Sequence, residues 1–358
     1  MLLKGLRSQG VDVFECHSTL WQGIEDRVDT AAGGWFSPRF LFRVISAYGQ
    51  LIKTHRKIPS YDVMLIGYPG VFDTFLGRLL SWKRQAPLVL DHYMSLYLIA
   101  EERGLTKRSR FSGLFIRFLE GLGLRIPNLI LSDTEDYIDY HCHTYKLQRK
   151  RFALVPAGAD DTVFYPRENL KPPSDKFRLI YHGTFIRNHG TPAMIKALSL
   201  MVNQDNVIFD MFGDGPEKSE AEILARDLKL SNIRFHGWVS SERVAQEIAK
   251  SHLCFGAFGE TKQSMITIQN KIWESMAVGR PVISGDGPAV RRILNHREDI
   301  FLVDRLDPSS IAAGIDELKS DSSLREGIAR AGYRQAREHS ISSIGSRTVE
   351  AISSLTSL

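Results

Sequence analysis

The residue types best placed to do chemistry lie between Phe258 and Ser284, in the run FGETKQSMITIQNKIWESMAVGRPVIS. An apolar strand ends near Ala257 and a polar, glycine-containing loop follows. The pattern then predicts a helix over roughly Gln269 to Ala277, with Gly279 in a left-handed C-cap position and Pro281 opening the next strand. Asn270, Lys271 and Glu274 fall three and four residues apart, so they share one face of that helix. The start of a helix offers unpaired N–H groups and a partial positive charge, which suit a diphosphate. A carboxylate one turn along can accept hydrogen bonds from ribose hydroxyls, and Lys271 adds a full positive charge. An exposed Lys–Glu surface pair has the same spacing, and spacing alone does not choose between them.

Other loops of the same character are Gly67-Tyr68-Pro69-Gly70, Gly183-Thr184, Gly213-Asp214-Gly215 and Gly285-Asp286-Gly287. Each follows a short β-branched run, where glycine lets the backbone turn sharply and approach a phosphate or sugar. None forms a G-x-G-x-x-G fingerprint, and no G-x-x-x-x-G-K-[ST] occurs, so dinucleotide and P-loop readings lose their support. The elements that position these loops alternate strand and amphipathic helix, which predicts parallel sheets. Strands are expected near 11–15, 63–66, 88–90, 129–131 and 152–155. After a proline-rich stretch from Pro156 to Pro173, further strands are expected near 178–182, 207–212, 233–235, 253–257, 281–284 and 300–303. The fold class is therefore α/β, with two doubly wound domains in series. In such sheets ligands bind beyond the carboxyl ends of the strands.

The segment 258–284 resembles the donor-binding signature of family 4 glycosyltransferases of the GT-B fold, which ends in E-[AS]-M-A-x-G-x-P-V-I. The likeness extends to Val155-Pro156-Ala157-Gly158-Ala159-Asp160 with Phe164-Tyr165-Pro166, to Tyr181-His182-Gly183-Thr184-Phe185 with His189-Gly190, to Phe212-Gly213-Asp214-Gly215-Pro216 and to Phe235-His236-Gly237-Trp238-Val239. The resemblance implies two Rossmann-like domains facing a cleft. Residues 1–157 would form the acceptor side, 158–338 would bind a nucleotide-diphosphate sugar, and 339–358 would be a helix returning to the first domain.

Carried over, Glu274 binds the donor ribose, and the backbone of Ile266, Thr267 and Ile268 with Asn270 and Lys271 meets the sugar and diphosphate. Gly183, Thr184, His189 and Gly213 lie beside the phosphates, and Trp238 and Val239 border the base. Asp91 or His92 is the polar residue set against the transferred sugar, and Tyr68, Gly70 and Ser95 line the acceptor side. The reaction implied is a retaining transfer to a glycan, lipid-linked or small-molecule acceptor, with no cofactor and no obligatory metal; no D-x-D pair of the kind that holds a divalent ion stands out. Three departures accompany the likeness. Ile266 stands where many relatives have glutamate, and Thr184 and His189 stand where they have Arg and Lys. The chain also opens on what looks like the tail of the family's first helix, so the first strand and its glycine loop are expected to be missing from this sequence. A non-catalytic binder of a nucleotide sugar or glycan, or a partner of an active transferase, is the alternative reading, and a nucleotide-sugar epimerase a remoter one.

Composition bounds the rest. The 358 residues suit two domains. No apolar run reaches the ~18 to 20 residues of a membrane span, and the N-terminus has no signal-peptide core, so the expected location is the cytoplasm. Cys16, Cys142 and Cys254 show no disulfide or metal spacing. The net charge of +5 sits wholly in residues 1–150, with 20 Lys+Arg against 15 Asp+Glu; the remainder holds 26 of each. Its densest stretch, 103–125, interleaves Arg and Lys with Phe and Leu. That stretch suits either an acidic membrane surface or a solvated helix face packed on its own domain. The modest excess and the lack of an aromatic-basic recognition motif argue against nucleic acid.

Overall fold

The computed structural model describes residues 1–20, 38–108, 110–201 and 206–356. Two all-parallel sheets organise the chain. The first has strands β1 (Met64–Ile66), β2 (Leu88–Asp91), β3 (Leu129–Ser132) and β4 (Phe152–Leu154) in the order 1-2-3-4. The second has β5 (Phe177–His182), β6 (Val207–Phe212), β7 (Ile233–His236), β8 (Leu253–Phe255), β9 (Val282–Gly285) and β10 (Phe301–Val303) in the order 10-9-8-5-6-7. The inner strands are mostly apolar because helices cover both of their faces, and the charges that interrupt β5 and β6, Arg178 and Asp210, pair with each other at 2.7 Å. Leu88, Val89, Leu90 and Ile130 are wholly buried in the first sheet, as are Leu179, Ile180, Phe209 and Leu253 in the second.

One expected strand is absent. Among the described residues, 11–15 pair with no strand, and Val11 and Phe14 are exposed. An isolated extended segment gains nothing until its backbone finds a ladder partner. Strand β1 pairs only with β2 among the described residues, which leaves 11–15 without one.

A 1-2-3-4 order with right-handed crossovers sends every connecting helix to one face of the first sheet. Those helices include Thr74–Lys83, Arg110–Gly123 and Glu135–Tyr145. The other face packs Val89, Leu129 and Leu131 against Ile344, Ile352 and Leu355 of the helix Ile341–Thr356. The chain passes between the two sheets twice at one place, where His339 Nδ1 donates to the carbonyl of Ala157 (3.0 Å). The His339 ring stacks 3.9 Å from Trp273, which lies in the core of the second half. No helix among the described residues is long and apolar enough to cross a membrane.

Candidate active site

Loops at the carboxyl ends of the two sheets face each other. β5 ends at His182, and Gly183 (φ +137°) begins the turn that follows. Gly213 (φ +127°), after β6, passes so near that a Cβ on it would stand 2.0 Å from the Gly183 carbonyl oxygen, so no other residue fits there. Lys271 reaches beneath this turn, its Nζ 2.9 Å from where a Gly183 Cβ would be and 4.2 Å from the Tyr181 ring centre. The ammonium is buried and has no hydrogen-bond partner among the described residues. Burial pushes its pKa well below the usual lysine value, against the opposing pull of Glu274. Glu274, one turn along, accepts from His182 Nε2 at 2.8 Å while its side chain keeps 23% of its surface exposed.

The helix carrying these residues spans Asn270–Ala277, with Gln269 at its N-cap and Gly279 (φ +77°) just beyond its end. Gln269 makes no capping bond; its amide donates instead to Asn188 Oδ1 (3.0 Å), so the first turn keeps its uncapped, positively polarised N–H groups. That end of the helix faces the first half of the chain, and the Tyr93 hydroxyl donates to Asn270 Oδ1 at 2.6 Å. Around it, Thr134 Oγ1 donates to the Ile266 carbonyl (2.8 Å) and Thr261 Oγ1 to Glu102 Oε2 (3.0 Å). The Ile266 side chain packs with Leu98, Tyr137 and Tyr140 of the first half, an apolar nest unsuited to the glutamate of the family pattern. Thr267, which donates to the Gln263 carbonyl, and Ile268, in the core, are buried, so only their backbone is left for a ligand.

His189 Nδ1 lies 2.5 Å from the Thr184 carbonyl oxygen and 2.9 Å from the Tyr181 hydroxyl. Burial first, then the Lys271 charge, hold this imidazole well below its ordinary pKa, so at neutral pH it carries no charge. Lys271 is therefore the basic group that the fold brings directly against the Gly183 turn. Trp238 and Val239 stay exposed beyond β7, beside the Gly213 loop, where Gly213 N donates to the Gly237 carbonyl (3.2 Å).

On the first-half side, Asp91 ends β2 and burial raises its carboxyl to about 6, against the opposing pull of His92. Its neighbour in position is Asp133, at the end of β3, whose two carboxylate oxygens are buried without a hydrogen bond of good geometry. Burial drives the Asp133 pKa well above the carboxylate range and the Asp91 charge adds to the rise. Tyr68 sets its ring edge-on to Tyr93 at 6.2 Å.

Three expected residues turn elsewhere. His92 points inward, 1% exposed, against Glu120 and the ring of His141. Ser95 is wholly buried, caps the helix Leu96–Glu102 and donates to Glu120 Oε2 (3.0 Å). Gly70 is buried in a turn onto the Gly67 carbonyl. His92, Glu120 and His141 have the residue types of a metal site and lie within 4.8 Å of one another. Yet Glu120 already accepts from the Ser95 and Tyr145 hydroxyls and the N–H groups of Leu96 and Tyr97, so its lone pairs are engaged internally.

Sequence reasoning passed over Asp133, Tyr93 and Arg305. Asp133 could have been found, since it follows a central strand as Asp91 does. Arg305 could not. It is buried and donates to the carbonyls of Gly259 (2.6 Å), Gly285 (2.7 Å) and Asp286 (2.7 Å), tying together the loops after β8 and β9 from a position with no local pattern.

Two Rossmann-like domains whose strand ends face each other are the GT-B arrangement, and solved structures of that fold superpose on most of the chain. Sucrose-phosphate synthase from Thermosynechococcus elongatus matches with a TM-score of 0.71 at 17% identity, covering 89% of this chain and 79% of that one. Anabaena Alr3699/HepE in complex with UDP-glucose matches at 0.67 and 17%, covering 87% and 82%. The family model described as glycosyl transferases group 1 matches residues 176–321. The lipopolysaccharide core biosynthesis glycosyltransferase LpsD of Rhizobium meliloti (strain 1021) is 28% identical over 172 residues, 48% of this chain and 47% of that protein. The chain thus spans about half the length of the curated relatives it matches.

Proposed function

We propose that the protein transfers a sugar from a nucleoside-diphosphate sugar to a saccharide acceptor. The observation that carries this reading is the buried, unpartnered Lys271 ammonium, set beneath a glycine turn and beside an uncapped helix start. A buried cation persists only where something compensates it, and a diphosphate does so at both places at once. The half of the chain that carries these residues is also the half that matches the transferase family.

In this reading, residues 158–338 hold the donor and 1–157 the acceptor, with 339–358 strapping them together. Glu274, oriented by His182, takes the ribose hydroxyls, and Trp238 and Val239 flank the base. Lys271 and the amides at the start of its helix stabilise the charge that grows on the leaving diphosphate, already oriented before reaction. That arrangement calls for no metal. Asp91, with Asp133 beside it, presents a carboxyl to the transferred sugar, and transfer proceeds with retention of configuration. Because LpsD is named for lipopolysaccharide core biosynthesis, a lipid-linked glycan is the acceptor to try first.

The test is to incubate the purified chain with UDP-, GDP- and ADP-sugars and a core-type acceptor, and to follow released nucleotide and glycosylated product. Turnover that is lost in Glu274→Ala supports the reading. Ile266, seated in an apolar nest where relatives carry glutamate, favours the second reading of a non-catalytic binder. Donor binding without transfer or hydrolysis would establish that one instead.

A further inference from the structure

Three helices of the first half turn apolar stripes outward instead of into the core. On Arg110–Gly123, Phe111, Leu114, Phe115, Phe118 and Leu122 are exposed, with Phe118 at 62%. Their spacing places them on one helical face, and Phe111 stacks on Phe115 at 6.2 Å. On Thr74–Lys83 the exposed residues are Phe75, Leu79 and Trp82, the last at 74%; on Pro38–His55 they are Leu41, Phe42 and Ile45. Hydrogen bonds join the three helices: Tyr48 to Asp73, and Thr74 Oγ1 to the Gly123 carbonyl. Eleven large apolar side chains are exposed on these helices, against seven in all described residues from 158 onward, so the asymmetry is not ordinary surface scatter.

The charged residues lining the groove beside the longest stripe are all cations. A groove of about 550 Å³ between the helices Arg110–Gly123 and Glu135–Tyr145 has Leu114, Phe118 and Leu122 as its apolar lining and Arg117, Arg125 and Lys146 as its cations. None of the three cations forms an ion pair among the described residues. Arg117 lies over the Tyr97 ring and Arg125 donates to the Tyr145 carbonyl. Arg110, Lys107 and Arg103 continue the basic border and are exposed. Glu101 and Glu102 lie beside Arg103 at the end of this border, but the groove itself is lined by no acid, and cations next to exposed phenylalanines there complement an anionic interface that is apolar a few ångströms deeper.

We propose that this face docks on an anionic phospholipid bilayer, with Phe111, Phe118 and Trp82 in the headgroup–acyl boundary and a lipid phosphate in the groove beside Arg117, Arg125 and Lys146. Docking would hold the first half, which the proposed function makes the acceptor side, at a lipid surface. It does not depend on that function, because no donor-site residue takes part.

The test is co-sedimentation of the full chain with phosphatidylglycerol vesicles and with phosphatidylcholine vesicles, at low and at high salt. Partition into the anionic vesicles only, falling steeply with salt, is the expected result. Arg110→Gln with Arg117→Gln should weaken it about fivefold per charge removed, and Phe111→Ser with Phe118→Ser by more than about tenfold. Circular dichroism and nucleotide affinity of these variants report that the fold is intact. Equal binding to both vesicle types, or none to either, would overturn the proposal. So would a stable dimer in solution that Phe118→Glu dissociates, because the face would then be covered by a second copy of the chain.

Discussion

Replacing Lys271 with methionine should separate stability from binding, because the two respond to the same buried charge with opposite signs. The side chain keeps its length and apolar stem but loses an ammonium that has no partner and whose pKa burial depresses. Replacing buried charged groups by apolar ones of similar volume has recovered about 1 to 4 kcal/mol where whole ion pairs were removed, an upper bound for this single group, while the lost contact with the Tyr181 ring, 4.2 Å away, gives back up to about 2 kcal/mol. The two effects nearly offset at one extreme and favour methionine at the other, so the ligand-free protein should melt between a few degrees below and several degrees above wild type. Donor binding should only fall. Loss of a buried, charge-assisted contact to a diphosphate is worth about 2 to 4 kcal/mol, or about 30- to 1,000-fold in affinity. Calorimetric titration with UDP, GDP and ADP measures the second quantity and differential scanning fluorimetry the first. Affinity retained within about threefold would refute the placement of the diphosphate, and a melting point well below wild type would refute the reading of Lys271 as a strained group held for function.

Other consequences follow from the same geometry. Glu274→Gln should lower affinity for ribonucleotides about tenfold while leaving inorganic pyrophosphate binding unchanged, since only the ribose contact is altered; equal loss for both would remove the ribose assignment. Asp91 binds its proton more tightly in the folded chain than an ordinary aspartate of pKa 3.8, burial raising it to about 6. Its contribution to stability should therefore fall as pH rises from 4 to 6, and turnover that needs the carboxylate should rise over the same interval; Asp91→Asn should flatten both slopes, and unchanged profiles would count against its role. Gly213→Ala forces a Cβ to 2.0 Å from the Gly183 carbonyl oxygen at a φ of +127°. It should destabilise the second half by more than about 3 kcal/mol, and an unaltered melt would show that the turn is not as tight as described.

Much of this architecture could be read from the residues. The apolar runs at 88–90 and 129–131 form central strands because no polar residue interrupts them, 207–212 does so although Asp210 breaks its run, because Arg178 on the neighbouring strand pairs with that carboxylate, and Gly279 with Pro281 marks the end of the Asn270 helix as expected. What failed did so where tertiary partners decide. Residues 11–15 have a strand-like composition, but pairing depends on an adjacent edge that composition does not report. Asp91 and His92 alternate across the end of β2, so only one of them can face the cleft; the partners Glu120 and His141, which draw His92 inward, lie 28 and 49 residues further along. Ser95 has the residue type of a sugar contact and of a helix cap alike, and the fold uses it as the cap. Arg305 acts through three carbonyls, which any sequence supplies everywhere, so nothing in its neighbourhood marks it.

The most direct test of the donor site is hydrogen–deuterium exchange of the full chain with and without a tightly binding nucleotide sugar. Slowed exchange confined to 91–95, 183–190, 213–215, 237–240 and 264–274 is the predicted pattern, with protection at 264–274 lost in Lys271→Met. Protection elsewhere, with the start of the Asn270 helix unchanged, would contradict the account.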